Sequence, residues 1–96
     1  MKCRYLASIL STKDKLFCEI FYDSEIPFLP HVGMEIYLPG NGEGAVESVS
    51  WDERCSPSLE IYLGEWLFED IKTMNEEIEA ALEGGWEKLT YLKGKL

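Results

Sequence analysis

The side chains that could do chemistry are few and scattered in this chain of 96 residues. Its single histidine, His31, lies between Pro30 and Val32, and a lone imidazole cannot form a histidine pair or most histidine-based metal sites. It could serve a serine or cysteine nucleophile, but no Gly-x-Ser-x-Gly elbow is present to expose one. His31 therefore reads as a loop residue at the surface. Cys3, Cys18 and Cys55 are odd in number, and none has the close spacing of zinc ligands. The start Met1-Lys2-Cys3-Arg4-Tyr5 carries positive charge, yet Leu6 to Leu10 is too short and too interrupted by Ser8 for the apolar region of a signal peptide. A cytoplasmic location and reduced, buried thiols are the expectation.

Gly40-Asn41-Gly42-Glu43-Gly44 has the glycines of a phosphate-binding loop but not its context. Such a loop needs a helix after it, so that the helix N-terminus faces the phosphate. Here a strand pattern follows, and no Lys-Ser or Lys-Thr is adjacent, so the run reads as a hairpin loop. Paired acids at Asp52-Glu53, Glu69-Asp70 and Glu76-Glu77-x-Glu79 lack the Asp-x-Asp-x-Asp-Gly pattern of a calcium loop. They read as solvated faces. The expectations are no catalytic residue, no cofactor and no metal.

Charge says more about partners. Acidic side chains outnumber basic ones 18 to 9. All but Asp14 lie between Cys18 and Glu87, where Arg54 and Lys72 are the only bases. So negative a body repels phosphate backbones and anionic membranes, which leaves basic or neutral protein surfaces as partners. No apolar run approaches the roughly 20 residues that a membrane-spanning helix requires.

The elements that must position these groups follow from periodicity. Lys2 to Leu10 alternates with Cys3, Tyr5, Ala7 and Ile9 on one face, and Lys15 to Asp23 with Leu16, Cys18, Ile20 and Tyr22. A turn near Thr12-Lys13-Asp14 makes them a hairpin with Cys18 opposite residues around Ala7, too far from Cys3 for a bridge. The opposite faces carry Leu6, Phe17 and Phe21, which implies a central hairpin, at least part of it covered on both sides. Pro27 and Pro30 make Ser24 to Gly33 a rigid connector. Next comes a strand with Met34, Ile36 and Leu38 inward and Glu35 and Tyr37 outward, then a turn over Pro39 to Gly44. Ala45 to Asp52 is a strand whose phase slips near Glu47-Ser48, the mark of a bulge, with Trp51 in the core. A further strand presents Leu59, Ile61 and Leu63. Leu67, Ile71, Met74, Ile78 and Leu82 form a helical stripe, with Trp66 stapling its start and Gly84-Gly85 stopping it. Residues from Gly85 onward form a short strand or an irregular tail.

The stretch Ile26-Pro27-Phe28-Leu29-Pro30-His31-Val32-Gly33-Met34-Glu35, with Val49-Ser50-Trp51-Asp52 and Gly85-Trp86, resembles small uncharacterised bacterial proteins carrying Pro-Phe-x-Pro-x-x-Gly before a strand. The run from Gly33 to Leu63 is similar to SH3-like small barrels. Neither resemblance brings a catalytic residue or ligand, and the groove aromatics of peptide-binding SH3 domains have no counterpart motif here.

The expected fold is a single α+β domain over residues 1–96. It is a mostly antiparallel sheet of five or six strands, partly rolled as a small SH3-like barrel, with one amphipathic helix near the C-terminus. The expected function is non-enzymatic binding through an acidic, aromatic-bearing surface, by Tyr37, Tyr62, Glu35 and Glu60, with His31 and Phe28 beside them. The partner is a protein, basic in character, or a second copy of the chain as a homodimer. An inhibitor or immunity-type protein of a basic enzyme such as a nuclease is the alternative, and a small enzyme the third reading.

Overall fold

The computed structural model describes residues 1–40 and 42–93. Strict alternation at the start of the chain yields two ten-residue strands, β1 (Lys2–Ser11) and β2 (Leu16–Glu25). They pair antiparallel without interruption from Lys2 opposite Glu25 to Ser11 opposite Leu16. Because the ladder runs up to Ser11, Cys18 faces Ile9 and not the vicinity of Ala7. The thiols of Cys3 and Cys18 thus sit about six residues apart along the hairpin, roughly 20 Å.

The rest of the chain builds on both sides of that hairpin. β3 (Glu35–Leu38) and β4 (Gly42–Ala45) form a separate two-stranded sheet, and β5 (Ser48–Trp51) and β6 (Leu59–Phe68) join the main one. Helix α1 (Ile71–Glu83) and β7 (Glu87–Lys93) complete the order along the chain. The main sheet runs β5-β6-β1-β2-β7. β6 is parallel to β1, while β5 is antiparallel to β6 and β7 is antiparallel to β2. The α+β class holds and three of the four strand pairs are antiparallel, but the parallel β1–β6 pair makes the sheet mixed, and the expected partly rolled barrel is corrected to an open sheet. β5 and β7 lie at opposite edges with three strands between them, so the sheet has no closing pair. The bulge expected at Glu47-Ser48 is a larger break. Val46 and Glu47 leave the strand altogether, and the chain passes from the small sheet to the large one.

β6 changes phase midway. Leu59, Ile61 and Leu63 point into the core, but beyond Gly64 it is Trp66 and Phe68 that pack there. The register against β1 shifts at the same place, between Leu6 opposite Tyr62 and Ser8 opposite Glu65. Gly64 takes a φ of +93°, a left-handed conformation that glycine adopts at little cost. Leu67 therefore belongs to a strand and is 62% exposed, not the first residue of the helical stripe.

The helix begins only after Asp70, whose carboxylate accepts from the Thr73 amide at 2.9 Å. Asp14 of the β1–β2 turn adds a second acceptor, for the Ile71 amide at 2.6 Å. Met74, Ile78 and Ala81 are its buried residues, with Ile71 and Leu82 at the margins. The helix ends in a Schellman arrangement, the Trp86 amide donating to Ala81 and the Gly85 amide to Leu82, both at 3.1 Å. Trp86 then enters the core, its ring tilted against Tyr22 at 5.6 Å and edge-on to Trp66 at 5.7 Å between centroids. Trp66 is thus an aromatic core residue and not a staple at the start of the helix. Trp51 is likewise corrected: it shares the inner face with its partner Leu59 but lies on the short edge strand β5, 60% exposed.

The small sheet and the helix form one layer over the inner face of the large sheet. Met34, Ile36 and Leu38 pack against the core, and the Trp86 indole donates to the Pro39 carbonyl at 2.8 Å. Within the expected Pro39 to Gly44 turn, Asn41 lies outside the described residues. Gly40 meets the helix C-terminus backbone to backbone. A Cβ at Gly40 would stand 2.8 Å from the Ala80 carbonyl oxygen, and one at Gly84 would fall on the Gly40 nitrogen.

This contact generates a prediction with a sign. Gly84 has helical angles, φ −80° and ψ −1°, in which alanine is intrinsically favoured. Gly84→Ala should nevertheless destabilise the domain by about 1–3 kcal/mol, because its methyl has no room. Thermal unfolding checks this, and a raised Tm would contradict the docking of the hairpin on the helix.

Candidate functional site

The second layer covers only the inner face of the large sheet, and strand alternation fixes what the other face carries. Along β1 the outward residues are Lys2, opposite Glu25 at the sheet's end, then Arg4, Leu6, Ser8 and Leu10, and the registers set four cross-strand rows through the last four. The first joins Ser50, Glu60, Arg4 and Asp23. The second joins Ser48, Tyr62, Leu6, Phe21 and Glu87. In the third, Glu65, Ser8 and Glu19 stand side by side, and in the fourth, Leu67, Leu10 and Phe17. Two apolar rows therefore alternate with two charged or polar ones. Among the described residues no element lies across them. Leu10 is 7% exposed although it is outside the main core cluster, which shows how closely the apolar side chains shield one another.

The polar groups of this face are held in place. Arg4 makes a two-pronged ion pair with Asp23, Nε to Oδ1 at 2.7 Å and a terminal nitrogen to Oδ2 at 3.0 Å. Its guanidinium lies 4.2 Å from the centre of the Phe21 ring. The Asp23 hydrogen bond holds the arginine's pKa above its ordinary value, and the charges of Glu60 and Glu87 add to it. The Tyr62 hydroxyl donates to Ser8 Oγ at 3.1 Å. Within the four rows, Arg4 is the one base among Glu19, Asp23, Glu60, Glu65 and Glu87. The face is acidic, aromatic and open.

The structure divides the interface residues expected from the sequence. Tyr62 and Glu60 lie on this face, in adjacent rows. Tyr37 and Glu35 lie on β3 in the small sheet, where the Tyr37 hydroxyl donates to Glu35 Oε2 at 2.9 Å beside a shallow groove with Gly44 and Ala45. His31 and Phe28 are exposed on the connector. The six do not form one surface, because β3 pairs with β4 alone. The helix covers neither tyrosine: Tyr37 is 72% exposed, and Tyr62 points away from the helix layer. The expected cover on the second side of the hairpin is not met: among the described residues Leu6, Phe17 and Phe21 are half-buried, sheltered by the sheet's own neighbours. Glu65 and Leu67 were missed, since their placement depends on the phase change at Gly64.

No family model, curated protein or solved structure matches the chain.

The thiols stand apart from this face. Cys3 and Cys18 point into the core with no measurable exposure, and burial pushes both pKa values up. Tyr5 beside Cys3 is pushed up to about 12, by burial first. Cys55 is exposed in the β5–β6 turn next to the Asp52–Arg54 pair, and its pKa is also raised, by desolvation first and by Asp52. Among the described residues no three of the histidine, cysteine and carboxylate side chains converge as a metal-binding group, and no helix is long and apolar enough to cross a membrane.

Two outcomes follow. A chromogenic disulfide reagent should label one thiol, Cys55, in the folded protein and all three in denaturant; rapid labelling of two or more in the folded state would contradict the burial of Cys3 and Cys18. In thermal melts, Tyr62→Phe should cost about 0.5–1.5 kcal/mol through the lost Ser8 bond, and Tyr37→Ala should stay within about 0.5 kcal/mol. A larger loss at Tyr37 would move that ring into the core.

Proposed function

We propose that this chain is a non-enzymatic binding protein whose working surface is the outer face of the five-stranded sheet, and that its ligand is a protein of basic or mixed charge. The observation that carries this reading is the pair of apolar rows, Tyr62-Leu6-Phe21 and Leu67-Leu10-Phe17, set among carboxylates on a face left open. Aromatic and aliphatic anchors ringed by polar groups are the composition of protein interfaces. A single arginine already bound to Asp23 and a phenol already bound to Ser8 leave the face with groups suited to recognition. The surplus of acid speeds encounter with a basic partner and discourages nucleic acid. Excess acid on this same face also supports the second reading, an inhibitor of a basic enzyme.

A photo-crosslinking amino acid in place of Phe21 or Leu67 tests the location, with Tyr37 as the comparison. Expressed in its native cells, the protein should form a discrete adduct from positions 21 and 67 and none from 37. Adducts from 37 alone, or none from the face, would refute the assignment.

A further inference from the structure

We infer that the occupant of this face is a basic amphipathic helix of a partner protein, laid along β1 with apolar residues at i and i+7 and lysine or arginine at i+3 and i+4. This rests on the reading of the sheet face as the working surface.

Three dimensions of the face support a helix. Across the strands, β6, β1 and β2 span about 10 Å between their outer axes, the diameter of one helix with its side chains. Along the strands, the two apolar rows are four residues apart, as Leu6 is from Leu10, or about 13 Å. Two turns of helix advance about 10.5 Å in seven residues, and long side chains make up the difference. An apolar residue at i then meets Tyr62, Leu6 and Phe21, and its equivalent at i+7 meets Leu67, Leu10 and Phe17.

Charge determines what lies between them. Midway along β1 the row is Glu65, Ser8 and Glu19, a carboxylate on each flank of a serine whose hydroxyl is engaged by Tyr62. At the same height on the docked helix, positions i+3 and i+4 project to opposite flanks of the contact stripe. Basic residues there reach Glu65 on one side and Glu19 on the other. A second copy of the chain fits less well. A two-fold axis through the centre of the face would set the Glu65–Glu19 row against itself, and like charges brought together under a closing interface are unfavourable.

The probe is an amidated peptide of three Leu-Ala-Ala-Lys-Lys-Ala-Ala repeats, with a matched peptide carrying Glu for Lys. Both are titrated into the full chain, and backbone amide shifts are followed by NMR. The lysine peptide should give saturable shifts confined to β1, β2 and β6, centred on Leu6, Ser8 and Leu10, and the glutamate peptide none. Glu19→Gln with Glu65→Gln should weaken binding about tenfold and flatten its salt dependence, with the rest of the spectrum unchanged. Shifts that do not saturate, shifts on β3–β4 or α1, or equal binding of both peptides would overturn the inference. Crosslinks from positions 21 and 67 separate the two levels. If they form while the lysine peptide leaves the face unmoved, the helix reading fails and the face reading survives. An adduct of twice the chain's mass puts a second copy on the face and overturns the helix. No adduct and no shift removes both.

Discussion

The change of phase at Gly64 is the constraint on which the rest depends. A strand of ten residues with one strict alternation would bury Glu65 and Leu67 along with Leu59, Ile61 and Leu63, and would expel Trp66. The left-handed residue inserts the half-step that exchanges them. Trp66 can then close the aromatic cluster with Trp86 and Tyr22. Trp86 in turn holds the Pro39 carbonyl and so ties the small hairpin down beside the helix. The same half-step sends Leu67 and Glu65 outward, where they complete the second apolar row and the central acidic row. One glycine thereby shapes both faces of the sheet.

The two faces share backbone hydrogen bonds but have different energetics. The inner face is a continuous core, with Cys3, Ala7, Ile9, Cys18, Ile20 and Ile61 fully buried. The helix packs over this face against β1, β6 and β7. Among the described residues the outer face has no such cover. Its apolar groups shelter one another across strands, a guanidinium lies on Phe21, and the remaining area is left to water. The sheet is therefore stabilised chiefly from one side.

Much of this was legible in the sequence. The alternation of β1 and β2, the inward triad of β6, the outward Glu35 and Tyr37, the hairpin nature of the glycine run and the Gly84-Gly85 stop are each set within a few residues of chain, by period and turn chemistry. The stripe of α1 was legible in period but not in its beginning. Leu67 falls in phase with Ile71 and Met74, and only the capping by Asp70 and Asp14 shows that the helix starts later. Trp51 next to Val49 looked like core because period assigns a face, whereas exposure depends on whether another element reaches that end of the strand.

By itself, then, the sequence determined the alternation of β1 and β2, the inward triad of β6, where the helix stops and that the body is acidic. Tertiary structure alone decided which strands flank the β1–β2 hairpin, that β6 runs parallel to β1, that the sheet stays open, and that Tyr62 rather than Tyr37 joins Phe21 and Leu67. The physical reason is range. Periodicity and turn preference act over a few residues, but strand partnership is a choice among distant segments. That choice is made by the shared core, into which Trp66 and Trp86, twenty positions apart, must both fit.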